Sequence, residues 1–364
     1  MSTYNPSENG TPALSIMERM NHEQLVYCFD AKTGLKALIA IHSTVLGPAL
    51  GGTRMWMYAN ENEALHDVLR LSEGMTYKAS VAGLDLGGGK AVIIGDSRRD
   101  KTPELMRKYG EFVERLNGHY ITAEDVGTSK ADMGFIGERT QHVTGRPEQE
   151  GGSGDPSPVT AFGVYRGMKA AAMKAWGTPD LGGRTVVVQG AGNVGRYLTG
   201  HLLAEGAQVR VCDVFDDQIE RIRAEFPQVQ VISADDVYKQ ETDIYAPCAL
   251  GSTLNDQTIP ELRCRVVAGG ANNQLADVER NSKMLAEQGI LYAPDFVINA
   301  GGLINVYSEI KGYTREEAME RTTALYEQTL KILELADQLG VSTHEAAVRT
   351  ARTRIDSRTL LAKA

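Results

Sequence analysis

The sequence predicts an α/β protein of two domains, and three observations carry that prediction. Short apolar runs of strand type alternate with amphipathic helical segments along most of the 364 residues, the pattern of layered α/β folds. That length is comfortable for two domains and large enough to bury a core without disulfides or metals. Near the middle, Gly145–Pro158 (GRPEQEGGSGDPSP) is dense in Gly, Pro and Ser and marks a boundary. The expected division is residues 1–144, completed by a C-terminal helix at about 341–364, and residues 145–340, with a cleft between the two domains.

Composition narrows the partners. The formal net charge is -9, which argues against nucleic acid, since that needs a basic face. The start, MSTYNPSENGTPA, lacks the basic and apolar regions of a signal peptide. No run approaches the length of a membrane span. A cytoplasmic protein with a disordered stretch over residues 1–13 is expected. Cys28, Cys212, Cys248 and Cys264 are scattered, with no CxxC pair, which fits free thiols in a reducing compartment. The histidines show no metal-ligand spacing, so no metal is expected.

In chain order, Gln24–Thr44 alternates apolar and polar residues about a turn at Ala31–Gly34, which reads as a β-hairpin. Leu50-Gly51-Gly52-Thr53 follows; the glycine pair reads as backbone exposed to a ligand, as a bulge, or as a strand-to-loop transition. Asn60–Tyr77 has apolar residues at helical spacing, with Glu61, Glu63 and Asp67 near its start. Lys78 falls near the end of that helix. Gly87-Gly88-Gly89 then leads into Lys90 and a strand, AVIIG. Two lysines in a segment otherwise nearly free of charge suggest an active site, against the plainer reading of a surface turn. A phosphate loop fails, because Leu84 and Ala91 stand where that motif needs Gly and Ser or Thr. A helix over Glu104–Asn117 precedes a strand that delivers Glu124 and Asp125 to its end. Asp125 there faces a ligand or caps the helix beginning near Ser129.

The second half opens with a helix over Val159–Trp176. The apolar run Thr185–Gln189 then leads into Gly190-Ala191-Gly192-Asn193-Val194-Gly195, a full GxGxxG, followed by a helical segment. A second strand, Gln208–Cys212, ends at Asp213, about 20 residues after the first glycine. This is the Rossmann fingerprint in its full context. Gly190 permits the turn, Gly192 admits the pyrophosphate, and Gly195 lets helix and strand pack closely. Asp213 would bind the adenosine ribose and repel a 2′-phosphate, which selects NAD over NADP. Further strands end at Pro247-Cys248-Ala249 and before Asn272. Cys248, Ala249, Asn272 and Asn299 are candidates for the nicotinamide end, or simply turn residues. Two C-terminal helices are expected. Thr314/Glu317 and Ser342/Glu345 fit capping boxes; the first helix should stop at Gly340 and the second pack back on the first domain.

Together, GPALGGTRMW (47–56), GMTYK (74–78), GLDLGGGK (83–90), ITAEDVGT (121–128), DPSPVTA (from 155), GAGNVG (190–195), IYAPCALG (244–251), AGGANNQL (268–275) and YAPDFVINAGGLINV (292–306) resemble the Glu/Leu/Phe/Val dehydrogenase family. The resemblance runs from about Gln24 to the C-terminus. It implies an N-terminal substrate and oligomerisation domain, a Rossmann NAD domain, and a homo-oligomer, octamer or dimer. By the same resemblance, Lys78 would bind the substrate carboxylate, Lys90 would be the catalytic base, and Asp125 would shuttle protons to and from the amino group. Gly51 and Gly52 would bring backbone to the substrate. Leu50, Met75, Ala123, Thr144, Leu303 and Val306 would line the side-chain pocket.

The implied reaction is reversible NAD-dependent oxidative deamination of branched-chain L-amino acids, leucine with valine and isoleucine, to 2-oxo acids and ammonia. The apolar lining suits an aliphatic side chain. Phenylalanine or valine oxidation by the same family is the alternative, since one methylene discriminates by only ~1–3 kcal/mol. A non-catalytic NAD-binding regulator is a further alternative; it would be signalled by loss of Lys78, Lys90 or Asp125, and all three are present. The chemistry asks for a fixed cation on the carboxylate and a base near neutrality. A lysine serves as that base only where burial and a neighbouring cation lower its affinity for a proton.

Overall fold

A computed structural model describes residues 12–146, 149 and 152–363. Most of the stretch expected to be disordered, residues 1–11, lies outside them; Ala13, by contrast, begins helix α1 (Ala13–Met20), which buries Ile16 and Met20. The chain divides into two units. One comprises the residues up to Gly154 with Glu309–Gly312 and everything from Ala351; the other comprises Asp155–Ser308 and Tyr313–Thr350. The division falls at Gly154, inside the Gly/Pro/Ser stretch, and the chain returns to the first unit at Ala351.

The first unit is a mixed sheet with helices on both faces. The expected hairpin is strands β1 (Gln24–Asp30) and β2 (Leu35–Ser43), antiparallel with Gln24 opposite Ile41. Strands β3 (Ala49–Trp56), β4 (Gly87–Ile94) and β5 (Tyr120–Glu124) complete it in the order β1-β2-β4-β3-β5. β3 runs parallel to β4 and β5, whereas β2 meets β4 antiparallel. Gly51 and Gly52 lie inside β3, with the same register on either side against β4, so they are neither a bulge nor a loop. The triple glycine likewise belongs to β4 itself.

Helix α2 (Glu61–Val81) forms because Asn60 caps it, accepting from the Glu63 amide at 3.0 Å, and Glu61 and Glu63 oppose the positive end of its dipole. Its Ala64, Leu65, Val68 and Leu69 pack with Leu38, Ala40 and Val92 on one face of the sheet. Helices α3 (Pro103–Glu114) and α4 (Lys130–Gly137) cover the other face, over Ile39, Ile41, Ala91 and Ile93. Full burial of such aliphatic side chains stabilises by roughly 1.5–3 kcal/mol each. The alternation of β4 thus turns Lys90 and Val92 toward α2.

The second unit begins with helix α5 (Ser157–Trp176), followed by β6 (Thr185–Gln189), α6 (Asn193–Ala204), β7 (Gln208–Cys212), α7 (Asp216–Glu225), β8 (Gln230–Val231), β9 (Ile244–Pro247), β10 (Val266–Val267), α8 (Val278–Glu287), β11 (Leu291–Tyr292) and α9 (Asp295–Ile298). The strands form one parallel sheet in the order β11-β10-β9-β6-β7-β8. The order reverses at β6, the switch point where α/β sheets bind ligands.

Helix α10 (Gly301–Lys311) precedes α11 (Arg315–Thr322), α12 (Leu325–Leu339) and α13 (Thr343–Lys363). The segment expected to be one helix from Thr314 is two, interrupted at Thr323–Ala324. The Thr314/Glu317 capping box is formed, and Gly340 ends α12 in the left-handed region at φ 63°. The last part of α13 packs on α2: Ser80 donates to the Ala351 carbonyl at 2.8 Å, and Arg352 donates to the Tyr77 hydroxyl at 2.9 Å. Among the described residues, no helix is long and apolar enough to cross a membrane.

Candidate active site

In the first unit, Lys90 is only 7 % exposed. A buried lysine needs a partner, and Asp125 supplies it, with Nζ 2.6 Å from Oδ2. Lys90 is on β4 and Asp125 follows β5, with β3 between them. At the usual strand spacing their backbones stand about 10 Å apart. The two side chains must therefore meet across β3, and Gly52 leaves the space. A β-carbon at Gly52 would stand 2.4 Å from the Glu124 carbonyl oxygen and 2.9 Å from Asp125 Cβ. Gly51 has a related reason: its β-carbon would fall 1.7 Å from the Gly89 carbonyl oxygen. The glycine pair is explained by strand-to-strand closeness and the passage of Asp125.

Lys78 is half-buried in the last turn of α2. Its helix reaches the sheet through Gly88, where a β-carbon would stand 2.1 Å from the Thr76 amide nitrogen. Lys78 thus belongs to the helix covering the face to which Lys90 points. Asp125 is not a helix cap. Ser129 caps α4, in a reciprocal box with Asp132.

The sequence reading missed how Asp125 is held. Arg54 Nε lies 3.3 Å from the same Oδ2 that Lys90 contacts. Arg54 Nη1 in turn donates to Asp67 Oδ2 at 2.9 Å, Tyr58 OH donates to that oxygen at 2.8 Å, and Arg70 Nη2 donates to Asp67 Oδ1 at 3.0 Å. Burial alone would raise the Asp125 pKa; the charges of Lys90 and Arg54 outweigh it and hold the carboxyl below its ordinary range. A signal was present in the sequence: an arginine inside an otherwise uncharged strand. Lys90's partner is the Asp125 carboxylate, a pairing the sequence reading did not make.

Of the other residues expected near the substrate, Leu50, Ala123 and Thr144 are buried in this unit and Met75 is half-buried on α2. Thr144 Oγ1 donates to the Thr122 carbonyl at 3.3 Å. Leu303 is buried and Val306 half-buried on α10, in the second unit. The loop after Val143 is drawn in by Glu309, which accepts from the Gly145 and Ser153 amides at 3.0 Å each.

In the second unit, the glycine loop joins β6 to α6 at the switch point. Gly190 has φ 105° and lies against the 248–249 backbone, its β-carbon 2.8 Å from the Ala249 amide nitrogen. A β-carbon at Gly195 would meet the Gly190 carbonyl oxygen at 1.9 Å, so close packing requires both glycines. Gly192 has nothing within 4 Å of its β-carbon position, leaving room for a pyrophosphate beside the N-terminus of α6. Asp213 Oδ2 accepts from the Ala191 amide at 2.6 Å and Oδ1 from the Phe215 amide at 3.0 Å, tying the acidic residue to the loop. Asn193 and Val194 open α6, and the Val194 side chain would be 2.6 Å from a β-carbon at Gly270. Cys248 Sγ accepts from the Gly270 amide at 3.4 Å. Asn299 donates to Asn272 Oδ1 at 2.8 Å and to the Gly270 carbonyl at 3.2 Å, while its own Oδ1 is buried without a partner. The residues chosen for the nicotinamide end are thereby brought together, with an acceptor to spare.

Among the described residues, no three His, Cys, Asp or Glu side chains gather as a metal site. All four thiols are free. Burial raises Cys28 to about 11 and Cys248 to about 12, so neither is a nucleophile at neutral pH.

A buried lysine–carboxylate pair in one unit and a fingerprint loop at a switch point in the other define a dehydrogenase with a dinucleotide-binding domain. Comparison with known proteins specifies it. The family model for the Glu/Leu/Phe/Val dehydrogenase dimerisation domain matches residues 22–142, and that for glutamate/leucine/phenylalanine/valine dehydrogenase matches 151–218 and 213–360. The chain is 54% identical to the leucine dehydrogenase of Thermoactinomyces intermedius over 340 residues, covering 93% of this chain and 92% of that protein. It is 49% identical to the valine dehydrogenase of Streptomyces coelicolor over 356 residues, covering 95% and 97%. The crystal structure of L-tryptophan dehydrogenase from Nostoc punctiforme superposes with a TM-score of 0.84 at 44% identity, over 95% of this chain and 99% of that one. The chain belongs to the Glu/Leu/Phe/Val dehydrogenase family and is an amino-acid dehydrogenase.

Proposed function

We propose that this protein catalyses the reversible NAD-dependent oxidative deamination of branched-chain L-amino acids, leucine with valine and isoleucine, giving the 2-oxo acid and ammonia. The observation that carries the chemistry is the buried Lys90–Asp125 pair at 2.6 Å. The relatives named leucine dehydrogenase support the substrate. Bound NAD would accept the hydride leaving the substrate Cα. Lys78 holds the α-carboxylate as a lasting cation. Asp125, kept ionised by Lys90 and Arg54, takes a proton from the substrate ammonium. Once Lys90 has released its own proton to solvent, its neutral amine takes a proton from the water that attacks the resulting iminium carbon; Asp125 then returns its proton to the carbinolamine nitrogen and accepts that of the hydroxyl as the C–N bond breaks, giving the ketone and ammonia.

Leu50, Met75, Ala123, Thr144, Leu303 and Val306 are the proposed side-chain contacts, with the Gly51 and Gly52 backbone beside the substrate. Gly190–Gly195, Cys248, Ala249, Asn272 and Asn299 are the proposed NAD contacts. Asp213 favours NAD, since a 2′-phosphate beside its carboxylate would be repelled. The exposed aromatic side chains of Tyr27 and Phe29 on edge strand β1 support self-association, and the free thiols support a reducing, cytoplasmic setting.

NADH absorbance with leucine, valine, isoleucine, phenylalanine and glutamate tests the reading. The highest kcat/KM is expected with a branched aliphatic substrate. Preference for phenylalanine would move the assignment to the phenylalanine oxidisers of the family, and no NADH with any of the five would sink it.

A further inference from the structure

We propose that Arg54 is a positioning residue for the proton-carrying Asp125, and that Asp67 holds Arg54 in that role. The proposal rests on the reading of Asp125 given above. Lys90 Nζ and Arg54 Nε both address Asp125 Oδ2, at 2.6 and 3.3 Å. One carboxylate oxygen is thus held by two cations from neighbouring strands, and the orientation of Asp125 toward a substrate amine is fixed by both.

The two cations have different duties. Lys90 must release and regain a proton during each turnover. Arginine does not deprotonate in proteins, so Arg54 is the contact that persists through the cycle. Its guanidinium spans two carboxylates, Nε to Asp125 and Nη1 to Asp67 at 2.9 Å. Asp67 is itself fixed by Tyr58 OH at 2.8 Å and Arg70 Nη2 at 3.0 Å. A lysine could serve one carboxylate but not both, because it lacks the planar fork. Among the described residues, the charged and titratable groups around Asp125 include Lys90 from β4, Arg54 from β3, Tyr120 on the preceding strand β5, Tyr58 beyond β3, and Asp67 and Arg70 behind Arg54 on α2. Without Arg54, Asp125 loses one of the two cations on its Oδ2, and its ionised form is favoured less.

The outer side of this chain of charges opens into a cavity of about 380 Å³ lined by Met20, Arg54, Trp56, Tyr58, Glu63 and Asp67, among others. That volume admits a free guanidinium ion, so the missing head group can be resupplied from solution.

The test uses the full-length enzyme as Arg54→Gln, Arg54→Ala and Asp67→Asn, each assayed with leucine across pH and corrected for the folded fraction by circular dichroism. Arg54→Gln should bind NADH normally, change KM little and lose about 10- to 100-fold in kcat, the scale of a misplaced reacting group. Its activity should fall at low pH along a limb about 1 pH unit above the wild type's. Asp67→Asn should move both readouts in the same direction by less, and it decides the matter if Arg54→Gln does not fold. Millimolar guanidinium chloride, far below denaturing levels, should restore part of the Arg54→Ala activity. Wild-type kcat and a parallel pH profile in Arg54→Gln, or in Asp67→Asn if that variant alone folds, would overturn the proposal. Such a result, alongside an inactive Asp125→Asn, would leave the catalytic reading standing; near-normal turnover by Asp125→Asn would bring down both.

Discussion

Acidification should destabilise this protein well before its carboxylates are protonated, and the cause lies in two histidines beneath α2. His22 Nε2 is 2.8 Å from Ser72 Oγ and 3.1 Å from the Leu69 carbonyl, and His42 Nδ1 is 2.8 Å from Thr76 Oγ1. The rings meet edge-on with centroids 4.7 Å apart. Burial lowers both to about 4 from 6.5; the charge of His42 further disfavours protonation of His22, and that of Arg352 disfavours protonation of His42. The folded state therefore holds these rings neutral while the unfolded chain protonates them below pH 6.5. Stability from this source is complete above 6.5 and is lost as pH falls toward 4. At about 1.4 kcal/mol per pH unit, the loss approaches 3 kcal/mol per ring, and at pH 5 it is about 2 kcal/mol each. Two rings then remove about 4 kcal/mol from a total stability on the order of 5–15. His344, lowered to about 3 by burial, adds to it in the second unit. Urea midpoints of the cofactor-free enzyme at pH 7, 6 and 5 measure the effect, with His42→Asn retaining an acceptor for Thr76 while removing one titrating ring. The midpoint should fall steadily with pH in the wild type and less steeply in the variant. A stability constant within about 1 kcal/mol from pH 7 to pH 5 would refute the reasoning, being smaller than one ring supplies. Because α2 carries Lys78, leucine turnover should fall along the same limb.

Other outcomes follow from the site. Lys90→Ala should lower kcat by about 10²–10⁴-fold, the usual worth of a general base, while NADH still binds by fluorescence titration. Gly52→Ala forces a β-carbon to within 2.9 Å of Asp125 Cβ; it should cost about 1–3 kcal/mol in denaturant melts and, by parting Asp125 from Lys90, lower kcat more than it raises KM. Asp213→Ser should narrow the preference for NAD over NADP, read as the ratio of kcat/KM values, and weaken NADH binding because the Ala191 amide loses its acceptor.

The second unit was the more legible half of the chain. Its strands and loops carry their meaning locally: a GxGxxG after an apolar run already implies turn, helix and ligand, and Gly192 has the open space that role requires. The first unit depends on pairings distant in sequence. Lys78, Lys90 and Asp125 stand out as residue types, yet nothing local says that β3 separates β4 from β5, so Gly51 and Gly52 read as a loop or ligand contact when their neighbours are the Gly89 and Glu124 backbones. The Arg54–Asp67 clamp was half legible: the lone arginine of β3 stood out, but its partner did not, because the two side chains join a strand to a helix face and meet only through the packing of α2. The break at Thr323–Ala324 had no Pro or Gly to announce it, and the helix expected to run unbroken from Thr314 passes over that point in pattern.

The glycines of β3 and β4 also set how this enzyme can change. Where main chain touches main chain, or a helix rests on a bare strand, no side chain can be traded for another. Gly51, Gly52, Gly87, Gly88 and Gly89 each meet a neighbouring atom within 2.6 Å of a β-carbon position, so random mutagenesis there returns mostly inactive protein. Altered substrate choice would instead come from side chains proposed above as substrate contacts, such as Met75, half-buried on α2. A library at that proposed contact leaves undisturbed the strands that hold Lys90 to Asp125, so catalysis and selectivity would be open to change in separate steps.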